Sequence, residues 1–418
     1  LRLANSAAAQ GTTPGGKALV CLFLGGGMDS FNFLVPTDPS AHAAYSESRG
    51  ANTREGGLAL ERSTLLPVAG TSLGLHPSCP NLQAMANGTG SFQGRRRLAL
   101  MANIGTLVQP VTKAQYNAWE NGSLVSLPVP KALFSHIDQI EQWQTGVPQG
   151  MRQLTGWAGR CADLLHSRFN TGQTSMNIAI GGNNIFQVGN SVRQFVITSS
   201  GALSFEGGTD GAAGNPYLLK NAGLRSILDQ HYANLLTEGF GQLTRESDEL
   251  QRLFQSHFNA PEAQPDASYD ALFPNGNYLS DILRTVFKSI RIRSALGQSR
   301  QTFFIDYGGW DHHSDLLTPQ ANLLQSVDQA LGGFQQALER AGLAQDVVTF
   351  SCSDFGRTLR SNGRGSDHAW GGNAFAFGGP VRGGQVFGRY PDLTTDGPDD
   401  LGRGGRILPT LSTDLYFA

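Results

Sequence analysis

The sequence predicts an α/β fold: a three-layer sandwich with a mostly parallel central sheet flanked by helices. Three observations predict it. Residues 18–24 (Ala-Leu-Val-Cys-Leu-Phe-Leu) form a continuous apolar run closed by glycines, the pattern of a strand buried on both faces. Similar short runs recur at residues 98–104, 303–305 and 347–351. Between the last two, Leu324, Val327, Leu331, Phe334 and Leu338 recur at steps of three and four, which marks residues 320–341 as an amphipathic helix. Strand, helix and strand in that order imply a right-handed crossover between parallel strands, whose carboxyl ends then share one edge of the sheet. Ligands of open α/β sheets bind at that edge.

The other elements follow the same reading. Residues 217–257 and 278–296 have helical patterning, whereas residues 177–180 and 195–197 read as short strands in a hairpin-rich region. Residues 1–17 read as an N-terminal arm. Residues 18–418 read as one α/β domain with an insertion spanning roughly 140–270.

Composition excludes some classes of function. The formal net charge of -2 gives no support for a nucleic-acid partner, and no apolar run is long enough to span a bilayer. The chain has 53 glycines, clustered between periodic segments, so they mark loops of a large fold and not a low-complexity linker. The small residues Ser6, Ala7, Ala8 and Ala9 precede a polar segment, as at the end of a secretory signal. An exported protein, periplasmic or extracellular, is therefore expected. Cys21 and Cys352 fall in strand-like runs and read as buried thiols, whereas Cys79 and Cys161 could pair in an oxidising compartment.

The chemistry-bearing residues cluster where strands end. Asp29 follows Gly25-Gly26-Gly27, Asp311 and His313 follow Gly308-Gly309, and Asp354 follows residues 347–353. His368 returns fourteen residues later across a glycine-rich loop. A single Asp at such a place is ordinary helix capping. Three carboxylates gathered at one sheet edge repel one another and cost free energy to desolvate unless a cation is present. Imidazole nitrogen with carboxylate oxygen is a normal ligand set for zinc, and suits manganese or iron. Asp29, Asp311, His313, Asp354 and His368 are thus the candidate ligands of a divalent metal, with His312 able to exchange roles with His313. Ser135 and His136 open an apparent helix. They read either as an N-cap beside a surface histidine or as a nucleophile at a helix N-terminus that favours an anionic ester.

Several motifs, in order along nearly the whole chain, resemble an uncharacterised, Tat-exported bacterial family within the alkaline-phosphatase-like and sulfatase superfamily. They include Leu24-Gly25-Gly26-Gly27-Met28-Asp29, Leu75-His76-Pro77, Phe134-Ser135-His136, Gly309-Trp310-Asp311-His312-His313, Ser353-Asp354-Phe355-Gly356-Arg357 and Ser366-Asp367-His368. The resemblance implies an alkaline-phosphatase-like sandwich with one or two ions, zinc first, then manganese, magnesium or calcium. Asp311, His313 and His368 would hold the first ion, and Asp29 and Asp354 the second. Ser135 would be the nucleophile, with His136 and Arg357 as catalytic partners; Arg357 and Arg160 are equally readable as structural ion-pair partners. Phe355 stands where superfamily hydrolases often carry a histidine, which leaves the second ion short of an imidazole unless His136 supplies it. The expected activity is hydrolysis of phosphate or sulfate esters, with an anionic small molecule or polysaccharide ester as substrate. The alternative is a secreted binding or assembly protein that keeps a structural metal. The resemblance also implies that a terminal helix follows Ala418.

Overall fold

The computed structural model describes residues 15–51, 56–150, 152–202 and 216–418. The small-residue stretch from Ser6 to Ala9 lies outside them.

The described strands, in chain order, are β1 (Lys17–Leu24), β2 (Leu34–Pro36), β3 (Leu66–Pro67), β4 (Leu73–Leu75), β5 (Leu98–Gly105), β6 (Asn177–Ile180), β7 (Phe195–Thr198), β8 (Gly201–Ala202), β9 (Arg300–Asp306), β10 (Val347–Ser353), β11 (Gly372–Gly378), β12 (Val386–Phe387) and β13 (Leu411–Ser412). Ten of them make one sheet in the order β12-β5-β11-β10-β1-β9-β6-β7-β8, with β13 also pairing with β5. β2, β4 and β3 form a separate antiparallel sheet. β1 pairs in parallel with both β10 and β9, and β9 in parallel with β6. The long strand β11 runs antiparallel between β10 and β5.

The helices are α1 (Pro39–Ser48), α2 (Pro80–Asn87), α3 (Lys113–Glu120), α4 (His136–Thr145), α5 (Trp157–Phe169), α6 (Pro216–Leu228), α7 (Leu235–Phe258), α8 (Tyr278–Arg291), α9 (Leu317–Arg340) and α10 (Thr413–Phe417). Strand alternation explains their distribution. Along β1, Val20, Leu22 and Leu24 join the core that holds α8 and α9, whereas Cys21 and Phe23 join a second core with Trp143 of α4, Ala158 of α5 and Phe417 of α10. The sheet is therefore covered on both faces, and the sequence's three-layer α/β expectation is met. α8 alone buries Leu279, Ile282, Leu283, Val286, Phe287 and Ile290, each stabilising by about 1.5–3 kcal/mol before chain entropy is counted. The five apolar positions read from the sequence on α9 are likewise buried.

The region expected to be rich in hairpins is built differently. β6 and β7 run parallel and extend the main sheet, because Ile178 and Ile180 of β6 and Ile197 of β7 complete the same core as β1. Among the described residues there, only β7 and β8 make a hairpin-like antiparallel pair. All four cysteines are free. Cys21 and Cys352 are buried neighbours with sulfurs 3.6 Å apart, and Cys79 and Cys161 are not paired.

One distant contact fastens α2 to α9. Asp328 of α9 accepts hydrogen bonds from the backbone N–H groups of Asn81 (3.1 Å) and Leu82 (2.8 Å) and from the Asn81 side chain (2.8 Å). It thereby caps donors that the first turn of α2 leaves unpaired. Burial pushes its carboxyl up to about 6, against the opposing pull of those hydrogen bonds. The native state then holds a proton that the unfolded chain releases near 3.8. The Asp328 contribution to stability is therefore greatest at low pH and shrinks as pH rises through that window, by roughly 3 kcal/mol in total. In urea denaturation across this range, the stability difference between wild type and Asp328→Asn should fall by about that amount; a constant difference would refute the assignment.

Candidate metal centre

β10, β1 and β9 are adjacent and parallel, so the loops after all three open on the same edge. Asp29, Asp311 and Asp354 are brought together for this reason. Gly26 and Gly27 turn the chain at positive φ (118° and 78°). A side chain at Gly26 would meet the Asp311 backbone nitrogen at 2.6 Å, and one at Gly27 the Phe355 ring at 2.5 Å. His368 arrives by a different route. After β10 the chain turns back on itself, with Thr358 N–H bonded to Asp367 O (2.9 Å) and Ala369 N–H to Gly356 O (2.8 Å). This irregular hairpin carries His368 back to the strand ends just before β11 begins.

Four side chains converge there. His136, Asp311 and His368 each offer a ligand atom within 4.8 Å of the others. His313 adjoins them, its Nε2 lying 2.9 Å from His368 Nε2 and 3.1 Å from Asp311 Oδ1. Each imidazole has its other nitrogen engaged. His136 Nδ1 lies 2.6 Å from Asp354 Oδ2, His368 Nδ1 lies 2.7 Å from the Phe134 carbonyl, and His313 Nδ1 lies 3.3 Å from Asp367 Oδ1. All three partners only accept, so the proton of each neutral ring is assigned to Nδ1 and the lone pair to Nε2. The three Nε2 lone pairs then face one another and Asp311, with His136 Nε2 3.5 Å from Asp311 Oδ2 and His368 Nε2 3.5 Å from Oδ1. His136 Nε2 is buried without a hydrogen-bond partner. Electron-rich atoms in this arrangement repel unless a cation lies among them. Acceptors behind the ligating imidazoles are the usual outer support of a metal site. The donor set thus fits a divalent metal ion.

The surroundings of His368 favour the unprotonated ring. Burial pulls His368 below the ordinary histidine range, outweighing the Phe134 carbonyl. Burial works to raise the Asp311 carboxyl, but the Arg357 guanidinium beside it holds it below its usual value. Phe355 packs against His136 and His368, with ring centroids 4.8 and 4.6 Å away, and so forms an apolar wall beside the cluster. The loop before α4 holds non-glycine residues at positive φ, Ala132 (46°) and Phe134 (77°). Such strain persists where surrounding structure demands it; here it presents the Phe134 carbonyl to His368, with Arg406 stacked 3.8 Å over the Phe134 ring.

The remaining sequence-derived candidates are placed as follows. Asp354 is buried, taking the Gly26 N–H (2.9 Å) on one oxygen and His136 on the other. Asp29 is buried and ion-paired with Arg49. His312 is buried, pointing its Nδ1 at no hydrogen-bond partner. The Ser135 hydroxyl donates to Asp138 Oδ2 (2.6 Å), so it occupies the N-cap position of α4 without capping the backbone. Arg357 is fully buried. Its guanidinium donates to the carbonyls of Gly26, Gly27, Trp310 and Ser366 and to Asp311, an internal fastener with no face turned to solvent. Arg160 likewise donates to the carbonyls of Thr145 and Thr155. Two participants were not marked as ligand-set residues by the sequence. His136, read from the sequence as a catalytic partner and as an imidazole that could complete the second ion, turns its Nε2 to the cluster. Arg49 carried no signal in the sequence.

Fold and site together define a three-layer α/β protein with a His/Asp group, of the kind that holds a metal ion, at the carboxyl edge of its sheet. Residues 232–401, which carry the Asp311, Asp354 and His368 motifs, match a family described as "Protein of unknown function (DUF1501)", an uncharacterised family as the sequence resemblance implies. No curated protein matches the chain. Among solved structures, the chain is similar to the PsFucS1 sulfatase from Pseudoalteromonas sp. (11% identity, TM-score 0.35, covering 94% of this chain and 68% of that one). It is similar to the lipoteichoic acid synthase LtaP from Listeria monocytogenes (9% identity, TM-score 0.35, 97% and 79% covered). It is also similar to a TAB5 alkaline phosphatase variant with bound magnesium (12% identity, TM-score 0.30, 91% and 95% covered). None of these likenesses transfers an activity to the chain.

Asp367 tests the outer support. Its carboxylate is bonded to His313 and Asn362. Asp367→Ala should weaken zinc binding about tenfold in a chelator competition assay while the fold is kept; unchanged affinity would remove His313 from the ligand set.

Proposed function

We propose that the chain is an exported, metal-dependent hydrolase of phosphate or sulfate esters, with His136, His313, His368 and Asp311 holding the metal. The observation that supports this most is the convergence of three Nε2 lone pairs and one carboxylate at the sheet edge. Three imidazoles and a carboxylate suit zinc, then manganese, better than magnesium or calcium, which prefer all-oxygen sites. A divalent ion there supplies Lewis acidity toward an ester oxygen and lowers the pKa of a bound hydroxyl or water.

The chain's own residues set the rest. Asp311 and His313 are the most exposed members of the cluster, so an ester would approach from their side. Phe355 limits water on the opposite side. Ser135 adjoins His136, and a carboxylate 2.6 Å from its hydroxyl is placed to draw off the proton of an attacking oxygen. Arg357 contributes by orienting Asp311 and not by clamping the substrate. Export rests on the small-residue stretch at Ser6 to Ala9, and a polysaccharide ester remains within the proposed substrate class.

The test is turnover of aryl phosphate and aryl sulfate esters by the zinc- or manganese-loaded protein. Turnover of at least one ester class is expected, with Asp311→Ala losing both the metal and about a thousandfold or more of the rate. Retained activity in Asp311→Ala overturns the proposal. Ser135→Ala separates a serine nucleophile, whose loss abolishes turnover, from direct attack by water, which survives it. A metal-loaded wild type inert on both classes, yet destabilised by chelator, would leave the metal as a structural pin of a binding protein.

A further inference from the structure

The site contains buried carboxylates that take no part in the ligand cluster, and the chain supplies partners for them itself. Asp29 is almost wholly buried. Its Oδ2 is ion-paired with Arg49, whose side chain has no solvent exposure, while its Oδ1 is buried without a hydrogen-bond partner. Arg49 stands just past the end of α1. Its backbone N–H is bonded to Tyr45 O (3.0 Å), its carbonyl to Leu58 N–H (2.9 Å), and its Nη1 to Thr358 O (3.2 Å). The wall behind it is braced by Tyr45 donating to Asn32 Oδ1 (2.7 Å) and by Asn32 donating to Leu58 O (2.9 Å). The guanidinium is therefore fixed by the fold and does not wander into the site. Asp354 is satisfied in another way, by accepting hydrogen bonds from the Gly26 N–H and the His136 Nδ1–H.

Charge balance makes the same point. Asp29, Asp311 and Asp354 face two buried guanidinium groups, Arg49 and Arg357. A second divalent ion on Asp29 would sit against the Arg49 guanidinium, which makes no other ion pair among the described residues.

We infer that Arg49 is a built-in cation standing in place of a second metal ion, so that the centre binds one ion per chain and Asp29 is not a ligand. This rests on the metal-centre reading proposed above. Elemental analysis of the full chain, saturated with zinc and desalted, tests it together with zinc affinities of Asp29→Asn and His136→Ala. One zinc per chain is expected, with Asp29→Asn keeping that content and an affinity within about threefold of wild type, and His136→Ala losing about tenfold or more. Two zinc ions per chain, or one lost on Asp29→Asn in folded protein, overturns the inference and leaves the metal-centre reading standing. Should Asp29→Asn fail to fold, the wild-type stoichiometry still decides. No bound zinc in wild type overturns the metal-centre reading itself, and this inference with it.

Discussion

The buried guanidinium of Arg357 is the interaction on which the site's geometry depends. It joins the loop after β1, through Gly26 and Gly27, to the loop after β9, through Trp310 and Asp311, and to the hairpin that carries His368, through Ser366. Each of those segments is irregular and rich in glycine, and carbonyls left unpaired in a buried loop would be costly. One planar, permanently charged group with donors pointing in several directions satisfies them together. Removing such a group would leave Asp311 without its charge partner and strand several carbonyls, a loss on the order of 3–5 kcal/mol.

The same fastening explains why the cluster is poised and not merely crowded. Asp311 is held in place by Arg357, and each imidazole by an acceptor on its far nitrogen. The supports come from separate parts of the chain: Asp354 after β10, the Phe134 carbonyl before α4, and Asp367 in the hairpin. Rings locked from behind turn their lone pairs to one point without needing the ion to gather them. Phe355, in a position where the sequence suggested a missing ligand, serves as packing for two of those rings. The imidazole that reaches the Asp354 carboxylate comes from α4 instead.

Much of the fold was legible because it depends on local pattern. The apolar runs that became β1, β5, β9 and β10 are buried on both faces, and a strand of that kind needs helices on either side. The stripe on α9 was readable from its spacing. The strands β6 and β7 were harder: four residues carry too little pattern to distinguish a hairpin from parallel edge strands, and only their pairing with β9 decides it. The acidic and histidine positions of the site were legible as strand-end motifs, since the parallel order of β9, α9 and β10 already implies a shared edge.

The sequence by itself determined that this is a three-layer α/β chain and that Asp29, Asp311, His313 and Asp354 lie near one edge, because both follow from residue periodicity and the places where strands stop; His368 reaches that edge on the hairpin after β10. Only the tertiary structure decided which of those groups face one another. It turned Asp29 toward Arg49, a lone residue past the end of α1 with no distinguishing context. It spent Arg357 on backbone carbonyls, and it brought His136 into the cluster from a helix more than two hundred residues away from Asp354. Pairing across such distances is set by packing and by the need to satisfy buried charge, and neither leaves a periodic trace in the chain.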